Sequence, residues 1–226
     1  MQATAVSTDI VLLDIAGFSK LSDEGQLASV LLLNEELRRF LKRLPVRSFQ
    51  KVHQIVLDVI PSGDGFYIIL NQAFAGYGPL CALSIRNALL TAGAKQGLLF
   101  EGVRLACHLG RVQPFTDITG RTNYVGTGVN DCARLLQSSR IRNEARRFSG
   151  DSNYVIVSSH AWRAFERLFP DAEFGGFFDL IELRASVQRV FEDKHGKTHR
   201  VRILESSRTL SVSPPKPSNP ASEGGE

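Results

Sequence analysis

The chain has no apolar run approaching the roughly 20 residues that cross a bilayer, so no membrane partner is expected. Its first residues, MQATAVSTD, lack the positively charged start and long apolar segment of a secretory signal. Cysteine is scarce: Cys81, Cys107 and Cys132 each sit in an apolar context, and none stands at a metal-ligand spacing. That argues against a disulfide scaffold or a zinc module and predicts buried free thiols in a cytoplasmic protein. No internal repeat is present. The arginine cluster from Arg140 to Arg147 has no interleaved aromatics on which bases stack. With a net charge of only +4, it reads as a solvated face, and no nucleic-acid partner is expected.

The 226 residues, 43% of them hydrophobic, suffice for one domain with a substantial core. Residues 205–226 are rich in Ser, Pro and Gly and are expected to form a disordered tail, leaving 7–204 as the folded domain. Residues 8–14 read as a strand. An unalternated Val11-Leu12-Leu13 implies burial on both faces. Glu24 to Leu44 reads as a long helix, with Ser22 or Asp23 as cap and Pro45 as stop. Residues 51–60 and 66–71 form two strand runs around Pro61-Ser62-Gly63-Asp64-Gly65, an antiparallel hairpin. A helix over 78–95, a strand over 102–109, a helix over 126–138, a strand over 154–158 and a helix over 159–168 follow. Residues 186–204 read as a strand pair turning at Lys194-His195-Gly196-Lys197. The order is that of an α+β fold, a ferredoxin-like split βαβ sheet with helices mainly on one face.

Three stretches carry chemistry. A carboxylate closing an apolar strand, as Asp14 does, needs a cation or hydrogen-bond donors. Asp64 stands at the hairpin tip, where Asp-Gly is also an ordinary turn signal. In a split βαβ sheet the end of strand one faces that tip, and two carboxylates brought close repel unless a cation lies between them. Oxygen ligands of this kind suit Mg2+ or Mn2+. Val129, Cys132, Ala133 and Leu136 form the core stripe of the third stretch. Asn130 and Arg134, four apart, project together beside it. The alternative is that Arg134 simply pairs with Asp131 and Asn130 is merely exposed. The Ala16-Gly17-Phe18 turn brings backbone N–H groups to a place where phosphate oxygens can lie.

In combination these stretches resemble the catalytic domain of class III nucleotide cyclases, the adenylate and guanylate cyclase family. LLDIAGFSKLS is similar to the family's first metal-aspartate motif, SGDGFYIIL to the hairpin with the second, and VRLACHLGRV to a following strand. YVGTGVNDCARLLQSS resembles the helix bearing the transition-state pair, and NYVIVSSHAW the strand and helix start after it. The resemblance implies that Asp14, Asp64 and the Ile15 carbonyl hold two Mg2+ or Mn2+ ions. It implies that Asn130 positions the ribose and that Arg134 stabilises charge on the α-phosphate of a nucleoside triphosphate. Phe18 and a basic residue near the end of the domain would bind the triphosphate. Lys194, Lys197 and Arg200 are the candidates, with Lys197 preferred; solvated hairpin charge is the alternative for each. The family builds each site from two subunits, so a homodimer with two shared sites is implied.

Two base-reading positions depart from the family pattern. Ile60 stands where adenylate cyclases place a lysine, and Asn123 where they place aspartate or threonine. Ile60 cannot hydrogen-bond a purine edge, whereas Asn123 offers both donor and acceptor. Alternation puts Asp58 on the face of Ile60. Retained metal and transition-state positions beside changed base readers are similar to the stand-alone pyrimidine cyclases of bacterial anti-phage signalling. That implies cyclic UMP or cyclic CMP as product and a separate cyclic-nucleotide effector protein. An adenylate cyclase with unusual base recognition, and a non-catalytic nucleotide-binding dimerisation module, are the alternatives.

Overall fold

The computed structural model describes residues 4–43, 55–96, 101–169 and 181–208. Its elements are β1 (Val6–Ala16), α1 (Asp23–Arg43), β2 (Val56–Pro61), β3 (Gly65–Leu70), α2 (Gly78–Gln96), β4 (Gly102–Thr116) and β5 (Thr122–Val125). They continue with α3 (Thr127–Gln137), α4 (Ser139–Ser149), β6 (Tyr154–Ser158), α5 (Ser159–Leu168), β7 (Ile181–Ala185), β8 (Arg189–Glu192) and β9 (Thr198–Arg208). Among the described residues the sheet has nine strands, in the order β2-β3-β1-β4-β6-β9-β7, with β5 added to β4 and β8 to β9. The central β1 pairs antiparallel with both β3 and β4. Its residues Ile10, Val11, Leu13 and Ile15 are completely buried, which accounts for the missing alternation.

The sheet has two apolar faces. Val11, Leu13, Ile15, Leu105 and Cys107 pack with Leu33 and Leu37 of α1, Leu83 and Leu89 of α2 and Ala161 of α5. Ile10, Leu12, Ala106 and Ile156 face the other way, against Cys132 and Leu136 of α3 and Ile141 and Ala145 of α4. The long helices thus line one face, and α3 and α4 add a smaller layer on the other. The three cysteines are free and buried. Among the described residues no helix is long and apolar enough to cross a membrane.

Most expected elements fall where the patterns put them. Ser22 caps the first helix, accepting from the Gly25 N–H at 3.2 Å. Three differences have clear causes. The strand expected over 102–109 runs on to Thr116, because β5 continues its ladder where β1 ends. The Arg140–Arg147 cluster is a helix: Ile141 and Ala145 are buried four apart, and the arginines between them hid that period. The last strand extends to Arg208, because Ser206, Ser207 and Arg208 pair with β7, so residues 205–208 of the expected tail are in the sheet. Residues 209–226, the expected helix stop at Leu44 and Pro45, and residues 51–54 of the expected second strand lie outside the described residues.

Asp9 joins β1 to the start of α2. It is completely buried, and one carboxyl oxygen accepts from the N–H groups of Gly76 and Gly78 at 2.5 and 3.0 Å. Gly78 has no room for a side chain: a Cβ would lie 2.5 Å from the Cys107 sulfur. Burial raises Asp9 from 3.8 to about 6, against the lowering effect of the two N–H groups. The folded value exceeds the unfolded one. The Asp9 contribution to stability is therefore fully present below about pH 4 and is lost as pH rises through 6. A shift of this size corresponds to roughly 2–3 kcal/mol. Asp9→Asn is expected to abolish that slope, so urea unfolding at pH 4 and pH 7 should show wild type losing more stability than the variant over the interval. Equal slopes in the two proteins would rule Asp9 out as the responsible group.

Candidate active site

The first cluster forms where β1, the β2–β3 turn and β4 meet. Asp14 pairs in register with Gly65 on one side and Arg104 on the other. Gly65 permits this closeness: a Cβ there would lie 1.8 Å from the Leu13 carbonyl oxygen. The turn closes through the Ser62 N–H on the Gly65 carbonyl at 2.9 Å, and the Ile15 N–H points to the Asp64 carbonyl at 3.4 Å. Asp64 is thereby held beside Asp14, close enough for its carboxyl to act on that of Asp14. Burial first, then the Asp64 carboxyl, raise Asp14 to about 7 against the pull of Arg104. The Arg104 guanidinium is ion-paired with Asp14, while its Nε is buried without a partner.

Among the described residues no group of three or more His, Cys, Asp or Glu side chains could hold a metal. Two neighbouring carboxylates with a backbone segment alongside fit a divalent cation that takes one or two carboxylates and completes its shell with phosphate oxygens. Ile15 offers only its backbone, since its side chain lies in the core. Phe18 follows in a short 3-10 turn, Phe18–Lys20, entered through Gly17 in the left-handed region at φ 77°. The residue that motif reading left without a role is Arg104. Its signal was available: an arginine in an apolar strand, on the face of His108.

The second cluster forms on α3. Gly126 and Gly128 let this helix lie directly on β4, since a Cβ at either would fall within 2.5 to 2.9 Å of the Arg111 carbonyl oxygen. Asn130 is exposed. Arg134 NH1 meets Asp131 Oδ1 at 3.2 Å, and its Nε lies 3.6 Å from Asp193 Oδ2. Lys197 Nζ reaches Asp131 Oδ2 at 2.5 Å. Arg134 thus does pair with Asp131, as the plainer reading expected, and the same carboxylate brings Lys197 alongside. Lys194 and Arg200 are exposed on the same hairpin. His108 Nε2 stands 3.9 Å from Asp131. Burial lowers His108 from 6.5 to about 4, outweighing the opposite pull of Asp131, so it is neutral at physiological pH.

Both clusters lie on the sheet face that carries α3 and α4, but they are apart. From Arg104 to His108 along β4 is about 13 Å, and β9 lies two strand spacings, roughly 10 Å, beyond β4. The two base-reading candidates are on different strands. Ile60 is half-buried on the edge strand β2, opposite Tyr67. Asn123 is half-buried on β5, and its Oδ1 accepts from the Tyr124 N–H at 2.8 Å. Asp58 is also engaged locally, accepting from the Val59 N–H at 2.8 Å.

No protein-family profile matches this chain, and no curated protein matches it. Solved structures do. The adenylyl cyclase CyaB from P. aeruginosa aligns with TM-score 0.57 and 17% identity over 92% of this chain and 98% of that one. The guanylate cyclase domain of RhGC from Catenaria anguillulae, in complex with GTP, aligns with TM-score 0.61 and 16% identity over 91% and 100%. The catalytic core of a rhodopsin-guanylyl cyclase with converted specificity, in complex with ATPαS, aligns with TM-score 0.61 and 16% identity over 91% and 98%. The fold is that of the class III cyclase domains.

Proposed function

We propose that the protein is a nucleotide cyclase that converts a ribonucleoside triphosphate to a 3′,5′-cyclic nucleotide and pyrophosphate. The observation that carries this reading is the pair of clusters on one sheet face: two neighbouring carboxylates at one, Arg134 with Lys197 at the other. Neither can act on a triphosphate alone. A two-fold dimer packed through this face would set each carboxylate pair against the partner's arginine and lysine, giving two equivalent sites.

Asp14 and Asp64 would hold Mg2+ or Mn2+, which supply charge neutralisation and a more acidic 3′-hydroxyl. Asn130 orients the ribose. The 3′ oxygen attacks the α-phosphorus as the bond to the β-phosphate oxygen breaks, and the hydroxyl proton passes to solvent. Arg134 meets the charge that grows on the α-phosphate, and Lys197 holds the departing pyrophosphate. Arg104, already at the carboxylates, adds a third cationic side chain for phosphate oxygens. Ile60 leaves the polar edge of a purine unpaired, and the Asn123 amide keeps its N–H2 donors free. Those residues favour a pyrimidine, with UTP or CTP as substrate. The cyclic product would act in the cytoplasm as an anti-phage signal read by a separate effector protein. The aligned cyclase with converted specificity is a case of changed substrate choice on this fold.

The test is incubation of the purified chain with each of the four ribonucleoside triphosphates and Mn2+, with products identified by mass spectrometry. Cyclic UMP or cyclic CMP as the main product is expected. Cyclic AMP or cyclic GMP would overturn the base assignment and keep the reaction. A folded dimer that binds nucleotide and makes no product would overturn the reaction itself.

A further inference from the structure

The reaction above uses Arg134 and Lys197 but not the two carboxylates that hold them. Asp131 contacts Arg134 NH1 at 3.2 Å through one oxygen and Lys197 Nζ at 2.5 Å through the other. Asp193 lies 3.6 Å from Arg134 Nε, and its other oxygen accepts from the Lys197 backbone N–H at 3.0 Å. Each carboxylate therefore touches both cationic residues, from α3 in one case and from the β8–β9 turn in the other. The two carboxylates are 10% and 5% exposed, whereas Arg134 and Lys197 are 30% and 44% exposed, so the anchors are covered and the cations still reach solvent.

Asp193 is itself anchored. It accepts from the His195 N–H at 2.8 Å, as well as from Lys197, and this closes the turn. His199 Nε2 lies 2.9 Å from Oδ2, the oxygen that also faces Arg134. That hydrogen bond, with the two N–H groups, holds the Asp193 carboxyl below the usual carboxylate range. The His199 ring stacks on Phe191 with centroids 5.3 Å apart. The turn is thus a braced unit rather than a flexible tip. Arginine and lysine side chains each carry considerable rotamer freedom. Asp193, anchored in its turn, and Asp131, carried on α3, restrict that freedom before any substrate arrives.

Resting on the cyclase reading, we infer that Asp131 and Asp193 are positioning residues. Together they lock Arg134 and Lys197 into one cationic unit with a set spacing for the α-phosphate and the leaving pyrophosphate. They touch no substrate and act only through the two cations.

Kinetics of single and double variants test this. Asp193→Asn keeps the size of the side chain and removes its charge. It is expected to lower kcat about 10- to 100-fold, the scale of a small misplacement of a catalytic group, with KM changed less than kcat. Its effect should vanish on the Arg134→Ala background, because the aspartate has nothing left to position. Asp131→Asn should show the same dependence on Lys197→Ala, and it serves if Asp193→Asn folds poorly. Full additivity in both pairs, or wild-type kcat in both single variants, would overturn the inference. A readout independent of turnover is the 15N resonance of the Arg134 Nε–H. It should be resolved from the exposed arginines in the full chain, through the Asp193 charge 3.6 Å away, and merge with them in Asp193→Asn. A resolved, Asp193-dependent resonance in a protein that makes no cyclic product would leave the clamp standing and remove the cyclase reading. An Nε–H insensitive to Asp193 in an active enzyme would remove the clamp alone.

Discussion

Asp64→Asn is expected to lower cyclase turnover by about 10²- to 10³-fold, the loss of several kcal/mol of charge stabilisation at the phosphate, and yet to raise the melting temperature of the metal-free protein. The opposite signs follow from one geometry. Asp14 is raised from 3.8 to about 7, by burial first and then by the neighbouring Asp64 carboxyl. Its folded value lies above its unfolded one. The contribution of the pair to stability is therefore complete below about pH 4 and is lost as pH rises through 7. Replacing Asp64 by a neutral amide relieves the repulsion and leaves the Asp14–Arg104 ion pair in place. After allowance for solvent screening the gain is about 1 kcal/mol, or roughly 2–4 °C for a chain of this size. It should appear at pH 8 and fade toward pH 4. Scanning calorimetry with a chelator at both pH values, beside a product assay with Mn2+, makes the comparison. A lower melting temperature at pH 8, or turnover near wild type, would remove the two carboxylates from the proposed site.

Mixing Asp14→Ala with Arg134→Ala, each expected to keep only a small residual turnover, is expected to restore about one quarter of wild-type activity. Random exchange makes half of the dimers mixed, and each mixed dimer has one intact site of two. The expectation comes from the separation of the clusters within one chain, one at Arg104 and the other at His108, about 13 Å apart along β4. Each Arg134→Ala subunit retains the carboxylate pair, and each Asp14→Ala subunit retains Asn130, Arg134 and Lys197. Activity should rise with the rate of subunit exchange, followed by fluorescence transfer between labelled chains. Complete exchange without recovery would overturn the shared-site arrangement. High activity in a strictly monomeric protein would do the same.

Much of the fold is legible in the sequence. The unalternated run in β1 marked a strand covered on both faces, and Ile10, Val11, Leu13 and Ile15 are completely buried. Ser22, spaced correctly before an apolar helical stripe, marked the start of α1. The bounds of β6 and α5 follow from a five-residue apolar strand meeting a capping serine, Ser158, which accepts from the Ala161 N–H. Helix α4 was obscured because its charges outnumber its apolar residues, although Ile141 and Ala145 hold the helical interval. Arg104 carries no legible role in the sequence, because the meaning of a charged side chain in a strand depends on its cross-strand neighbour, here Asp14.

Local patterns in the sequence thus determine the elements of this protein, and the motifs that resemble class III cyclases mark Asp14, Asp64, Asn130 and Arg134 as candidates. Spacing acts over a few residues, through the 2- and 3.6-residue periods of strand and helix. What faces what is another matter. That Arg104 stands opposite Asp14 depends on the register of β1 against β4, separated by some ninety residues. That Asp131 and Asp193 hold the same two cations depends on α3 lying close on β4, where only glycine fits, and on the β8–β9 turn folding back over it. These are contacts between distant parts of the chain, set by packing and pairing across the sheet, and only the tertiary structure decided them.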